Sequence, residues 1–287
     1  TSVFLRQHVT IARLNIAAHQ SVLRNGDEFV VEAVWTFAKL PLLVTDLLAT
    51  ELWRTHAFPH LLPSLASNKN VLRTYFTLYH ECTLIDLIGM LLYHRHAVEA
   101  LGEVLVDLID YCARQLRALA VPEAHNAMVR RQRQPTRTGD DDRTRLHSRT
   151  PDEELAEHVQ EIEYRSAVGS VAIARYLCEH IDALPLSAQT RILDTHDWLV
   201  MLVPLVEEPP WTRKVESGSG WQKYMDNGWK DVAHQDLLAV TKCEAQCWLA
   251  LFHLTCSPVC REQYGFNSFR KAQLLRLRKF LTEPMVD

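Results

Sequence analysis

Cysteine, histidine and carboxylate residues at short spacings are where chemistry would first be sought in this chain. Cys243 and Cys247 stand four apart, as do Cys256 and Cys260, and four converging thiolates would hold zinc. Structural zinc knuckles use C-x2-C or C-x4-C spacing in turns, whereas Cys243, Cys247 and Trp248 fall in a strong helical pattern continued by Leu249, Leu251, Phe252 and Leu254. Residues four apart on a helix share a face, which is also how core positions repeat. Core packing is the preferred reading of these cysteines and zinc the alternative. His80-Glu81 opens like a metalloprotease helix, but Leu84 stands where the second histidine must be. His94 and His96 would point about 200° apart around a helix, a poor chelate. Thr195-His196-Asp197 joins a base to a carboxylate, yet reads as a helix start capped by Thr195 or Asp197. No G-x-S-x-G elbow occurs, and a chain with nine glycines shows no Gly-rich phosphate loop. The expectation is a protein that is not an enzyme and holds no cofactor or metal of its own.

Two surface candidates remain. Trp211, Trp221, Tyr224 and Trp229 gather around a turn signal, Asp226-Asn227-Gly228. Aromatic residues on a short flap can anchor a partner, although packing the flap onto neighbouring helices is the preferred reading. The second candidate is the segment Ser268 to Glu283. Leu274, Leu275, Leu277, Phe280 and Leu281 recur in it at helical spacing, and Arg270, Lys271, Arg276, Arg278 and Lys279 lie between them. The pattern predicts a helix with one apolar and one basic face.

The elements that must position these residues are helices. Val3–Leu23 is amphipathic and stops near Asn25-Gly26, Phe29–Phe37 continues the pattern, and Pro41 opens a helix that Pro59 and Pro63 end. Leu72–Tyr93 and Leu101–Leu119 follow at three- and four-residue spacings. Residues 125–150 carry seven arginines around Asp140-Asp141-Asp142 and almost no large apolar side chain. That stretch reads as a solvated flexible loop, with a basic docking patch the alternative. Thr150-Pro151-Asp152-Glu153 is a helix start with first-turn acids. Further helices are expected to about Ile181, from Pro185, over Asp197–Glu207 until Pro209-Pro210, over His234–Cys256, and over Ser268–Leu281. Between Trp221 and Val232, Asn227-Gly228 flanked by aromatics predicts a two-stranded hairpin. The fold class expected is all-α, a stack of helices of the armadillo kind with one small β-hairpin flap near 221–232. It is divided into an N-terminal helical half at 1–122, an Arg-rich insert at 123–151 and a C-terminal helical half at 152–287.

Composition bounds the partners. Apolar residues make up 47% of the 287 and charged residues 23%, the mixture of an ordinary globular protein. A net charge of −4 offers nucleic acid or an anionic membrane no general attraction, and no apolar run approaches the ~20 residues of a membrane helix. The seven cysteines are an odd number, and Cys82, Cys112 and Cys178 lie among apolar residues, usage that suits a reducing compartment. Thr1 is not an initiator Met and no leader pattern follows, so the chain is expected to be a trimmed piece.

Four segments go beyond fold class: Leu40–Leu62, Tyr79–Leu116, Leu193–Lys214 and Cys247–Glu283. They include the blocks YHE…DLIDYC, PPW and SF…LLRLR..LT. In this order and spacing they resemble the helical region of the zinc finger MYND domain-containing protein 10 family. The resemblance covers most of Ile11–Asp287 outside the Arg-rich insert. It implies a cytoplasmic assembly factor for axonemal dynein arms, working in ciliated or flagellated cells. The implied partners are Hsp90-type chaperones, co-chaperones, a leucine-rich-repeat assembly factor and dynein heavy and intermediate chains. The family's zinc ligands lie in a C-terminal MYND module that this sequence does not contain, so none is carried over to a residue here. The alternative is a resident axonemal or microtubule-associated protein whose Arg-rich insert or final basic face touches acidic tubulin.

Overall fold

The computed structural model describes residues 2–24, 28–61, 71–120, 151–215 and 220–281. The Arg-rich stretch, the Thr150 cap and Gly218-Ser219 therefore lie outside the described residues. Among those described, twelve α-helices and one small antiparallel sheet form the fold, as the helical periodicities and the hairpin signal require. They group into two compact units.

The first unit takes the described residues as far as Leu108 and residues 151–169. It contains α1 (Ser2–Leu23), α2 (Phe29–Thr36), α3 (Leu40–Leu52), α4 (Val71–Leu92), the short α5 (Arg95–Glu99) and the start of α6 (Val104–Ala120). Both α1 and α3 pack on α4. Leu78, Leu84, Leu87, Ile88, Leu91 and Leu92 of α4 are all buried, and a helix apolar on most sides belongs inside. Pro59 does not end the third helix. Trp53–Ala57 forms a π turn and residues 58–61 stay helical, because a widened turn makes room for the proline ring against the carbonyl one turn back.

The second unit runs from Ile109 to the end of α6 and from Ser170 onward, through the rest of α7 (Pro151–Glu179). It continues with α8 (Leu186–Thr190), a π turn at Arg191–Thr195 and α9 (Trp198–Glu207). The sheet follows, and then α10 (Lys242–Cys256), α11 (Pro258–Gln263) and α12 (Ser268–Arg276). Helix α9 is the centre of this unit and packs on α10, α12 and the turn after it. Trp198, Leu202 and Leu205 are fully buried from α9, as are Leu177 and Cys178 from α7 and Leu254 from α10.

Local differences from the sequence expectations have local causes. The flap has three strands in the order β1-β2-β3, because β1 (Thr212–Lys214) joins β2 (Trp221–Met225) and β3 (Gly228–Val232). Its tight turn is Asp226-Asn227, with φ of 49° and 62°. It sits one residue earlier than Asn-Gly, and Gly228 already pairs with Met225. The helix expected over His234–Cys256 is a 3-10 turn, His234–Leu238, followed by α10. Thr241 starts α10 with a reciprocal capping box to Glu244.

Candidate functional site: the flap and the final helix

Pro209-Pro210 stops α9 and turns the chain into the flap, and Trp211 is folded completely inside. The Tyr224 N–H donates to the Trp211 carbonyl at 2.8 Å. Side chains alternate along β2, yet Lys223 and Tyr224 are both buried. The Lys223 ammonium donates to the Ala239 carbonyl at 2.7 Å and lies 3.2 Å from Glu244 Oε1, so its charge is compensated where it is desolvated. Glu244 meanwhile accepts from the Thr241 N–H at 2.5 Å. Flap and α10 are thus pinned through one carboxylate.

Trp221 and Trp229 are half-buried. Trp221 sits opposite Val232 in the ladder. The Trp229 ring meets Tyr224 edge-on at 5.5 Å, and the Arg213 guanidinium lies over it at 4.1 Å. Trp211 and Tyr224 pack the flap inward, and Trp221 and Trp229 keep part of their surface outside.

The final segment is α12 followed by a 3-10 turn, Leu277–Phe280. Its expected apolar face is only partly used. Leu277 is buried, whereas Phe269, Leu275 and Leu281 are exposed. Its cations divide. Arg270 points inward, with Nε 2.8 Å from Asp197 Oδ2 and Nη1 donating to the Gly265 carbonyl at 2.9 Å. Arg276 grips Glu207, with Nε 3.0 Å from Oε1 and Nη2 on Oε2. Lys279 Nζ stands 3.6 Å from the same carboxylate. Lys271 and Arg278 face solvent. Only Arg270 is turned inside; Lys271, Arg276, Arg278 and Lys279 are at the surface, with Arg276 and Lys279 sharing Glu207.

Beside this segment α9, the His234–Leu238 turn, α10 and Phe280 enclose a pocket of about 260 Å³. Leu205, Pro209, Trp211, Leu238, Trp248 and Phe280 line it, and Lys279 and Glu244 are its charged residues. Periodicity could not reveal it, because its walls come from elements far apart in sequence. The Thr241-x-x-Glu244 pattern was a legible signal for the start of its α10 wall.

The histidines and carboxylates that stand at suggestive spacings have structural partners. His80 Nε2 lies 3.0 Å from Asp46 Oδ2, which also accepts from Gln7 at 2.8 Å, and His80 Nδ1 lies 3.0 Å from His8 Nδ1. Glu81 is fully buried and takes Arg54 through two nitrogens, at 2.6 and 3.1 Å. His196 Nε2 lies 2.6 Å from Asp110, its Nδ1 2.9 Å from an Arg117 nitrogen, and Asp110 also receives Arg191 at 2.6 and 2.5 Å. The hydrogen bond from Arg191, set against partial burial, holds the Asp110 carboxyl down at about 2. In both histidine–carboxylate pairs the second ring nitrogen, where a nucleophile would stand, meets another basic side chain. Cys247 and Cys260 are buried, Cys243 half-buried and Cys256 exposed. Burial pushes the Cys243 thiol up to about 12. Among the described residues no three His, Cys, Asp or Glu side chains converge as a metal site, and no helix is long and apolar enough to cross a membrane.

No family model matches the chain, and no solved structure matches it. It is similar to zinc finger MYND domain-containing protein 10 homolog of Drosophila melanogaster, with 30% identity over 284 residues. The match covers 99% of this chain and 60% of that relative. The resemblance carried by the four sequence segments thus belongs to a match that spans nearly the whole chain.

Proposed function

We propose that this chain, a relative of zinc finger MYND domain-containing protein 10 along almost all its length, is a non-enzymatic scaffold in the pre-assembly of axonemal dynein arms. It acts in the cytoplasm of ciliated or flagellated cells. The similarity over 99% of the chain carries this reading. Its partners are other proteins: Hsp90-type chaperones and co-chaperones, a leucine-rich-repeat assembly factor and dynein chains. Two features support a binding rather than a catalytic role. The histidine–carboxylate pairs are closed by His8 and Arg117 instead of a nucleophile. The cations of the final segment and the half-exposed tryptophans lie on packed helices and a pinned flap, which present side chains with little ordering cost. No cofactor is assigned to this chain.

A second reading, a resident axonemal or microtubule-bound protein, is favoured only by the exposed Lys271 and Arg278. Affinity purification from ciliated cells, with cytosol and salt-washed axonemes separated, distinguishes the two. Recovery of chaperones and dynein chains with the cytosolic protein is the expected result. Retention in washed axonemes without chaperones would overturn the assembly reading in favour of the second.

A further inference from the structure

We propose that the pocket beside the flap receives one bulky apolar side chain from an acidic segment of a partner protein, with Lys279 meeting a carboxylate next to it. The walls are apolar, and Leu238, 70% exposed at the rim, leaves the pocket open to solvent. A concave apolar site with a charged group at its edge is the form that anchors a single aromatic or aliphatic residue.

Charge selects the partner. The carboxylate that lines the pocket, Glu244, and that of Glu207, which Lys279 reaches, are already occupied. Glu244 is compensated by Lys223 at 3.2 Å and by the Thr241 N–H, and Glu207 is held by both nitrogens of Arg276 before Lys279 reaches it at 3.6 Å. Ser268 to Leu281 contains five cations and no Asp or Glu. Lys279, 65% exposed, shares the single Glu207 carboxylate with Arg276, so one acid faces two cations, and the exposed Arg278 beside it adds a further positive charge. An acidic flank on the incoming segment gains from this field, and a basic flank is repelled.

The inference adds partner chemistry to the scaffold reading without depending on it. Its test uses the purified 287-residue chain, so its failure leaves the ciliary fractionation untouched, and the reverse also holds. The probes are three blocked pentapeptides: Asp-Glu-Phe-Asp-Glu, the same with Ala at the centre, and Lys-Lys-Phe-Lys-Lys. The readout is the indole N–H resonance of Trp248 in the isotope-labelled protein, assigned with Trp248→Phe. The acidic Phe peptide is expected to move this signal saturably at millimolar concentration, about tenfold more tightly than either control. Leu238→Glu, at an exposed rim position, should weaken it by about tenfold, and Lys279→Glu should transfer the preference to the lysine peptide. No shift of Trp248, equal binding of the three peptides, or indifference to Lys279→Glu would each overturn the proposal. So would self-association of the chain that Leu238→Glu abolishes, since the occupant would then be a second copy.

Discussion

Arg270 and Asp197, 73 residues apart in sequence, are joined at 2.8 Å, with the guanidinium stacked 4.0 Å over the Tyr264 ring. The Tyr264 hydroxyl donates to the other oxygen of the same carboxylate, and burial together with that acid raises the phenol's pKa above its ordinary value. Asp197 is also the N-cap of α9, accepting from the Val200 N–H at 3.4 Å, and stands in the left-handed region at φ 48°. One carboxylate ties the start of α9 to the residue after α11 and to α12.

Asp197→Ala should therefore cost more than a cap alone, about 2–4 kcal/mol, since a cap contributes ~1 kcal/mol and a charged hydrogen bond ~1.5–3 kcal/mol. Asp197→Asn keeps the cap and tolerates positive φ, so it should lose only the charge and fall in between. Urea unfolding followed by tryptophan fluorescence reads both. Equal midpoints for wild type and Asp197→Ala would show that the tie contributes nothing.

Acid should weaken the first unit before it reaches the carboxylates. Burial first, and His80 second, lower the His8 pKa below 6.5. The unfolded chain then binds more protons than the folded one as pH falls, so stability present near pH 7 declines below about pH 6.5. Asp110 of the second unit runs on a lower window. Its stabilisation is present above its ordinary value of 3.8 and lost as pH falls from there through about 2. His8→Gln can still donate to His80 without titrating, so it should flatten the urea-midpoint profile between about pH 5 and 7. His253, also lowered by burial, leaves a residual slope. An unchanged profile in His8→Gln contradicts the assignment.

Gly169 of α7 leaves space for Ile85. A Cβ at this position would stand 2.7 Å from Ile85 Cγ2, a branched methyl of a side chain 2% exposed. Alanine normally gains up to ~1 kcal/mol over glycine in a helix. Here the overlap should outweigh that gain, and Gly169→Ala should destabilise by about 1–3 kcal/mol. In a double-mutant cycle with Ile85→Ala the two changes should cost less together than their sum. A stabilised Gly169→Ala would refute the contact.

The tryptophans should separate by burial. Trp211→Ala empties a fully buried site and should cost about 3–5 kcal/mol, with loss of the flap's amide protection in hydrogen exchange. Trp229→Ala removes a half-buried ring stacked under Arg213 and should cost about 0.5–2 kcal/mol while α10 stays protected. Comparable losses of protection in α10 for both would contradict this division.

Much of the fold was legible because helix and turn signals are local. The three- and four-residue spacings of Leu84, Leu87, Ile88, Leu91 and Leu92 place α4 within one residue at each end, and Asp226-Asn227 tolerates the positive φ that the flap turn needs. A cap at the start of α9 was readable from its neighbours, with Thr195 and Asp197 both candidates, and the fold chooses Asp197. The resemblance in four separate segments was also readable in the residues themselves.

The candidate site was much less legible. Periodicity assigns a face to each residue of a helix but says nothing of what approaches that face. By spacing alone Arg270 belongs to the same basic face as Lys271 and Arg278, and only Asp197 and Tyr264 turn it inward. His80-Glu81, suggestive of metal chemistry in isolation, are held by Asp46, His8 and Arg54 from other helices. The sequence by itself determined where most helices and the flap turn form, because those depend on neighbours a few residues away, and its four segments carried the likeness to a known relative. Only the tertiary structure decided which charges are spent, which tryptophans are buried and where a pocket opens, because desolvation and ion pairing depend on groups tens of residues distant.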